Sequence, residues 1–263
     1  MTETGNSANT IQFERIGHHV ARITLNRPAA RNAINVAMTQ RIEQIVREVE
    51  SDPDLRVAIL TGAVGKAFCA GADLAEVAAG LGPAMVTPDG GFAGFVFAQR
   101  KKPWIAAVHG FALGGGLEIS LACDMIVAAE SAVFGLPEPK RGVLAAAGGV
   151  YRLPRAIPRA VALEMLATGA SIDARRAYEL GLVNRVVPEA RLAEETVAMA
   201  EQIAANSPSS VRESLAIGRV AEERSEEELR RLMADAIVRI MASADAREGP
   251  RAFIEKRAPL WRS

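Results

Sequence analysis

Short apolar segments that alternate with helical segments are the feature that most restricts the fold of this 263-residue chain. The segments 57–61, 105–108 and 124–129 have the length and composition of buried strands. A strand is also predicted from Arg22 to Asn26, and between it and the segment 57–61 lies a helix that Asn35 can cap and that continues to about Glu50. Strands that alternate with helices predict an α/β fold with a largely parallel sheet and βαβ crossovers. The spacing is irregular, so we do not expect a simple doubly wound sheet.

The C-terminal third has a different character. After about Ala156 strand signals nearly disappear, apart from the segment 182–187. A capping-box pattern at Ser225 opens one helix, and another is predicted from about Asp245 to Lys256. Such a tail has too few residues for a core of its own, so it should pack on its own domain or on a neighbouring subunit. We therefore divide the chain into a flexible N-terminus (1–10), an α/β core (11–200) and a helical C-terminal region (201–263).

Charge and cysteine content exclude several classes of protein. The 31 basic and 31 acidic residues cancel, so neither nucleic acid nor a membrane is indicated as a partner. No apolar stretch reaches the roughly 18 residues of a membrane helix, and the short polar start of the chain does not resemble a secretory signal. Two cysteines, Cys69 and Cys123, do not suggest a disulfide framework. A cytoplasmic location is therefore expected.

Two glycine-containing turns are candidates for binding an oxyanion. The triplet Gly114-Gly115-Gly116 lies between an apolar strand and a helix, where backbone amides point outward at the positive end of the helix dipole. The segment 70–73 follows another strand and offers a second outward-facing amide. If they converge, the pair would suit a thioester carbonyl that becomes an enolate. The triplet alone fits a flexible turn or tight backbone packing equally well, and it lacks the dinucleotide-binding fingerprint.

Two glutamates are candidates for acid–base chemistry. Glu118 lies in the first turn of an otherwise apolar helix, where a carboxylate is costly unless it has a partner or a role. Stabilisation of the helix dipole is an equally good explanation. Glu138 lies between Pro137 and Pro139 in a rigid loop. Two carboxylates on different rigid elements suit catalysis in which one handles water and the other handles a proton at carbon.

Other catalytic arrangements fit less well. His18, His19 and His109 are the only histidines and have no metal-binding spacing, so no metal site is expected. No GxSxG motif accompanies His109, which we interpret as a satisfied residue at a strand end. Cys69 lacks a nearby base and is interpreted as a packing residue. The Gly-rich segment 78–99 has no clean period, and we interpret it as a mobile loop that covers a site.

Five motifs occur in order along the chain and together resemble those of the crotonase (enoyl-CoA hydratase/isomerase) superfamily. The motifs are Asn26-Arg27-Pro28 with Asn32-Ala33, Ala67 to Asp73, Ala112 to Glu118, Phe134 to Glu138, and Gly148-Gly149. The resemblance implies a spiral of ββα units with a helical C-terminal region that forms homotrimers, often paired into hexamers.

The resemblance also implies an activity and a set of site residues. Hydratases of this family add water across the C2=C3 bond of a trans-2-enoyl-CoA, giving a 3-hydroxyacyl-CoA, with glutamates at the positions of Glu118 and Glu138. It places the oxyanion amides at Ala72 and Gly115. Coenzyme A enters as part of the substrate, and no metal or redox cofactor is implied. Residues implied to contact the acyl-CoA are Ala30, Arg31, Ala33, Ala70, Asp73, Leu74, Gly114, Pro137, Phe253 and Lys256.

Departures from the family pattern leave the substrate and the activity open. Ala29 and Ala75 replace lysines that many hydratases carry, so phosphate contacts could fall to Arg31 or Lys66. Arg141 replaces the more usual apolar residue, and Pro is frequent where this chain has Ala145. The alternatives are a Δ3,Δ2-enoyl-CoA isomerase, a carnitinyl-CoA dehydratase-like enzyme, or a non-catalytic acyl-CoA-binding protein. A cofactor-binding dehydrogenase is a more distant alternative.

Overall fold

The computed structural model describes residues 10–262, so the predicted flexible N-terminus lies outside the described part except for Thr10. The strands of the described part are β1 Ile11–Ile16, β2 Val20–Leu25, β3 Val57–Gly62, β4 Ala67–Cys69, β5 Val86–Thr87, β6 Gly91–Phe92, β7 Trp104–Val108, β8 Phe111–Leu113, β9 Met125–Ala129, β10 Val133–Gly135, β11 Ser171–Asp173 and β12 Arg185–Val187. The α-helices are α1 Val36–Ser51, α2 Leu74–Ala78, α3 Gly115–Ala122, α4 Gly149–Ala156, α5 Arg159–Thr168, α6 Ala174–Glu179, α7 Leu192–Ala204, α8 Pro208–Gly218, α9 Glu226–Ala242 and α10 Asp245–Glu255. Single 3-10 turns include Pro28–Ala30, Gly82–Met85 and Glu138–Arg141.

Two sheets and the helices between them form a repeating pattern. The larger sheet has the order β1-β2-β3-β7-β9-β12, and the smaller has the order β11-β10-β8-β4. Apart from the antiparallel pairs β1/β2 and β10/β11, neighbouring strands in both are parallel. Each of the units β3-β4-α2, β7-β8-α3 and β9-β10-α4 places one strand in each sheet and then a helix. The α/β class and the spiral of ββα units are thus confirmed.

Strand β7 is buried on both of its faces. Its side chains alternate between two buried layers, as the two-residue period of a strand requires. Trp104 and Ala106 belong to the main core, whereas Ile105 and Ala107 pack in a second layer with Met199 of α7. Because both faces are covered, β7 and the turn that follows it provide a fixed base for the segment 109–116.

Local sequence signals located most helix starts correctly. Asn35 caps α1 by accepting a hydrogen bond from the Met38 amide, and Ser225 forms the complete capping box of α9 with Glu228. The strand predicted at 182–187 is confined to β12, and a strand predicted to begin at Arg22 begins at Val20. Strands β1 and β11 lacked a recognised signal, because their alternation is short and their exposed faces are polar.

The segment 78–99 is not an unstructured loop. It contains a 3-10 turn and the small hairpin of β5 and β6, and its residues Phe92, Phe95 and Val96 are buried. Its aromatic side chains therefore pack in the core, although the segment has no sequence period that would have predicted this. Mobility of this segment stays a prediction.

The C-terminal helices leave an apolar surface uncovered. Helix α7 packs on the larger sheet, so residue 200, the predicted end of the core, falls inside a helix that belongs to that core. Helix α9 exposes Met233, Ile237, Val238 and Met241, each more than half accessible. None of the helices within residues 10–262 is both long enough and apolar enough to cross a membrane.

Candidate active site

The residues at the start of α3 line a cavity. Gly114 adopts φ 56° and ψ −126°, a conformation that a residue with a Cβ rarely adopts. A methyl group there would also lie 2.9 Å from Oε1 of Glu138. Two separate features therefore require glycine at this position: the turn from β8 into α3 and the close approach of the Glu138 carboxylate.

The two glycine-containing turns converge, as the oxyanion hypothesis required. A methyl group on Gly116 would overlap the carbonyl oxygen of Cys69, and one on Gly71 would lie 3.1 Å from the amide nitrogen of Gly115. Within the described residues, the amides of Ala72 and Gly115 donate no hydrogen bond. The amide of Gly115 opens α3, where it also benefits from the helix dipole. Two free amides thus lie on adjoining backbone segments beside the cavity.

A buried polar cluster fixes the segment that carries Ala72. Asn32 is fully buried, accepts a hydrogen bond from the Arg27 amide and donates one to the Ala67 carbonyl at 2.8 Å. The Arg27 guanidinium donates to the Ala33 carbonyl and pairs with Asp73 at 2.9 Å. Asp73 in turn caps α2. These bonds join the turn at 27–33 to the segment 70–73 and so position the Ala72 amide.

Glu118 is almost completely buried at the end of the first turn of α3. Its carboxylate accepts a hydrogen bond from the Gly149 amide at 2.9 Å. Burial is the main cause that raises its pKa to about 7, and the nearby Glu138 charge raises the pKa further, while the Gly149 amide opposes the shift. A carboxyl whose pKa lies near neutrality can both accept and release a proton at physiological pH.

Glu138 lines the same cavity from the loop that follows β10. It begins the 3-10 turn Glu138–Arg141, and its Oε2 is buried without a hydrogen-bond partner among the described residues. Burial raises its pKa, and the Arg141 guanidinium partly offsets that effect. An unpaired buried carboxylate oxygen is costly, and such groups concentrate at functional sites.

Removal of the Glu118 charge should stabilise the protein in a pH-dependent manner. The native state binds the Glu118 proton more tightly than the unfolded chain does, because the pKa of Glu118 is about 7 in the folded protein and 4.5 in the unfolded chain. Rising pH therefore removes stability between about 4.5 and 7 and has no further effect above that window. The free energy of unfolding of Glu118→Gln should exceed that of the wild type by up to about 3 kcal/mol at pH 8.

Urea unfolding across pH 4 to 9 measures this difference. Since both proteins carry a neutral side chain at low pH, the curves should meet near pH 4 and separate as the pH rises. A difference that stays constant with pH would contradict the raised pKa.

The cavity has a volume of about 680 Å³ and contains most of the predicted site. It is lined by Ala30, Arg31, Ala33, Ala70, Ala72, Asp73, Leu74, Gly114, Gly115, Glu118, Pro137 and Glu138, all of which the sequence pointed to. Phe253, Lys256 and Lys66 do not line it. The Phe253 side chain is 85% exposed on α10. The structure therefore gathers the predicted residues of the core, whereas the predicted roles of the C-terminal residues have no support within one subunit.

Sequence reasoning missed part of the cavity wall. The further lining includes Val86, Phe92, Phe97, Val143, Leu144 and Ala147. The Phe92 ring lies directly against Gly115. A methyl group on that glycine would overlap the ring. The aromatic residues of the segment 78–99 were the available sequence signal, but only the fold shows that Phe92 lies against Gly115. Arg152, which holds the Val96 and Ala147 carbonyls, was also missed and lies near enough to Glu118 to lower its pKa.

The remaining candidates for chemistry behave as structural residues. Burial raises the pKa of the Cys69 thiol to about 12, so it is not a thiolate nucleophile. His109 directly follows β7 and is buried, as expected of a strand-end residue; its ring hydrogen-bonds the Ala63 backbone, whereas its Nε2 has no partner among the described residues. Within residues 10–262 no group of His, Cys, Asp and Glu has the geometry to hold a metal ion.

Comparisons with known proteins agree with this geometry. The family model described as enoyl-CoA hydratase/isomerase matches residues 15–263. A carnitinyl-CoA dehydratase of Proteus mirabilis is 42% identical over 248 residues, which are 92% of this chain and 95% of that protein. The crystal structure of an enoyl-CoA hydratase from Mycobacterium tuberculosis superposes with a TM-score of 0.92 at 40% identity, covering 97% of this chain and 99% of that one. A carnitinyl-CoA hydratase from Mycobacterium avium gives a TM-score of 0.74 at 42% identity, with 97% and 98% coverage.

Proposed function

The chain belongs to the enoyl-CoA hydratase/isomerase family, and on that premise we propose that it is a hydro-lyase acting on acyl-coenzyme A thioesters. The reaction is the addition of water across the C2=C3 bond of a trans-2-enoyl-CoA, or the reverse dehydration. The observation that carries the proposal is the pair of carboxyls with raised pKa, Glu118 and Glu138, facing two free amides in one cavity.

The geometry supports a division of labour between backbone and side chains. The amides of Ala72 and Gly115 bind the thioester oxygen and stabilise the negative charge that it acquires in the enolate-like transition state. The two carboxyls hold one water, whose oxygen adds to C3 while a proton is delivered to C2. One carboxyl accepts a proton and one donates a proton, so the pair as a whole gains none in a turnover. The reaction needs no metal or redox cofactor.

The coenzyme A portion is proposed to lie along the wall formed by the turn 30–33 and the segment 70–74. These segments are joined by backbone hydrogen bonds from the Ala70 amide to the Arg31 carbonyl and from the Ile34 amide to the Gly71 carbonyl. The cavity is otherwise predominantly apolar, with Leu74 and Val86 in its lining, which suits a pantetheine arm and an acyl chain.

A dehydratase of the carnitinyl-CoA type is the second candidate, favoured by the identity of 42% to a carnitinyl-CoA dehydratase. It would use the same two carboxyls, so the site geometry supports both candidates. An isomerase moves a proton without water and can use a single carboxylate, so the presence of both carboxyls favours hydration. Loss of either carboxyl would have favoured a non-catalytic acyl-CoA binder, and neither is lost.

Liquid chromatography coupled to mass spectrometry of the product distinguishes hydration from isomerisation and from binding without turnover. Incubation with trans-2- and trans-3-hexenoyl-CoA should yield a product that has gained one water from the first substrate. An unchanged mass with a shifted double bond would identify an isomerase, and tight binding without a product would identify a binder. Either result would overturn the hydro-lyase proposal.

We also propose that the chain forms a homotrimer or a dimer of trimers. The support is the exposed apolar stripe of α9, consisting of Met233, Ile237, Val238 and Met241, and the exposed Phe253 on α10. Light scattering after size-exclusion chromatography should give three or six times the mass of 27.9 kDa. Replacement of Ile237 and Val238 by Glu should release smaller species, whereas a monomer in the wild type would contradict the proposal. A cytoplasmic location stays a prediction.

A further inference from the structure

Arg141 is a cation in the cavity wall to which the proposed hydration assigns no role beyond its effect on the pKa of Glu138. It lines the cavity, and its guanidinium makes only a marginal hydrogen bond of 3.5 Å to the Pro137 carbonyl. Within residues 10–262 no carboxylate forms an ion pair with it, although most arginines of the chain are paired. A free guanidinium that faces a substrate cavity is a ready binding group for a carboxylate or phosphate.

Arg141 shares a short turn with Glu138, the carboxyl proposed to serve the reacting carbons. Glu138 and Arg141 are the first and last residues of one 3-10 turn. In a 3-10 helix, residues three apart lie on the same face and are about 6 Å apart along the axis. The Arg141 guanidinium therefore lies close to Glu138, near enough to lower the pKa of that carboxyl. The other cation of the lining, Arg31, lies in the turn proposed to contact coenzyme A.

The surroundings of Arg141 suit an acyl chain that is apolar along its length and charged at its far end. Val143 and Leu144 are more than half exposed and line the cavity beside it. Of the acidic residues in the lining, Asp73 is paired with Arg27, and the remaining two are Glu118 and Glu138. Arg141 would repel a cationic acyl group, whose charge only Glu118 and Glu138 could compensate. An anionic acyl group would meet a free cation.

We propose that Arg141 selects acyl groups whose far end carries a carboxylate, so that the substrate is a monothioester of an unsaturated dicarboxylic acid. This inference rests on the proposed function, since it places the acyl chain by means of Glu138. It predicts discrimination against a trimethylammonium group, the cation that a carnitine-derived acyl chain carries, despite the relatives named for carnitinyl-CoA. An arginine can bind a carboxylate with two parallel hydrogen bonds, which supplies both affinity and orientation.

The kinetic test compares substrates that differ only at the far end. Hydration is measured for trans-2-hexenoyl-CoA, trans-2-hexenedioyl-CoA and 4-trimethylammonio-2-butenoyl-CoA. The wild type should prefer the dicarboxylic substrate over the neutral one by about 10- to 100-fold in kcat/KM, mainly through KM. Arg141→Leu should abolish that ratio, Arg141→Lys should keep part of it, and Arg141→Glu should favour the trimethylammonium substrate.

Lys140→Met is the matched control, because it removes the same charge from the neighbouring position. The Lys140 side chain packs against Gly169 and does not line the cavity, so the substrate ratio should stay that of the wild type. If Arg141 instead binds a phosphate of coenzyme A, Arg141→Leu would lower kcat/KM for all the substrates equally, and the inference would be overturned. A wild type without preference for the dicarboxylic substrate would overturn it as well.

A binding measurement keeps this inference separate from the proposed function. Calorimetry with saturated hexanedioyl-CoA and hexanoyl-CoA requires no turnover, and Arg141 should make the dicarboxylic thioester bind about 10-fold or more tightly. Hydration of hexenoyl-CoA without this preference would remove the inference and leave the hydro-lyase. The preference without hydration of any of the substrates would remove the hydro-lyase and leave the specificity of the cavity.

Discussion

Replacement of either Glu118 or Glu138 by Gln is expected to lower kcat/KM for enoyl-CoA hydration by about 10²- to 10⁴-fold, the usual contribution of a positioned acid or base. Gln keeps the size of the side chain and its carbonyl oxygen, so Glu118→Gln can still accept the hydrogen bond from Gly149. What is lost is the ability to exchange a proton. Thioester binding should change little, because coenzyme A is proposed to contact the turn 30–33 and the segment 70–74 rather than the two carboxyls.

The double variant distinguishes a cooperating pair from two independent groups. If both carboxyls act on one water, the loss in the double variant should be close to that of the worse single variant rather than the product of the two. Glu164→Gln, which removes an exposed carboxylate from α5, is the control and should keep wild-type kinetics. Near-normal turnover in both single variants would contradict the assigned roles. The Glu118→Gln protein should at the same time be more stable than the wild type at pH 8. The Glu118 carboxyl would then serve activity at a cost in stability.

Gly116→Ala is expected to reduce both stability and turnover. The added methyl group would overlap the Cys69 carbonyl oxygen, which belongs to the backbone and cannot move alone. Overpacking of this kind costs about 1–3 kcal/mol of unfolding free energy. Relief of the overlap must move α3 away from the segment 69–72 and so separate the amides of Gly115 and Ala72. Loss of one oxyanion donor lowers kcat by about 10²- to 10³-fold.

The effect on turnover can be separated from the effect on folding. Gly218→Ala in α8 is the matched control, because a methyl group there meets nothing within 4 Å. That variant should gain about 0.4–1 kcal/mol from a less flexible unfolded chain and keep its activity. The kcat of Gly116→Ala is then measured well below its melting temperature on protein shown to be folded by circular dichroism. Full activity in a folded Gly116→Ala protein would exclude the convergence of the two turns as the basis of oxyanion binding.

The elements that sequence located well are those whose signals are local. The Asn35 cap, the Ser225 capping box and the buried strand β3 each depend on residues within a few positions of one another. The order of the motifs was likewise sufficient to suggest the family and the spiral of ββα units. By contrast, β11 was missed because its stability comes from pairing with β10, nearly forty residues earlier, rather than from its own composition.

The site divides in the same way between local and long-range information. Glycine turns and unusual carboxylates mark Gly114, Gly115, Glu118 and Glu138 in the sequence, because each conflicts with its local surroundings unless it has a role. The apolar wall could not be predicted, since Phe92 is adjacent to Gly115 only through the packing of the hairpin on α3. The raised pKa of Glu118 likewise results from burial by elements that are distant along the chain. The predicted contacts of Phe253 and Lys256 with the acyl-CoA stay predictions.

Hydration of crotonyl-CoA by the purified protein, followed as the loss of enoyl-thioester absorbance beside the Glu138→Gln variant, tests the central claim most directly. Longer trans-2-enoyl-CoAs, with and without a terminal carboxylate, extend the test to other acyl groups. The account predicts turnover by the wild type on at least one of these substrates, and a loss of about 10²-fold or more in the variant. Tight thioester binding with no turnover, or turnover that does not depend on Glu138, would contradict it.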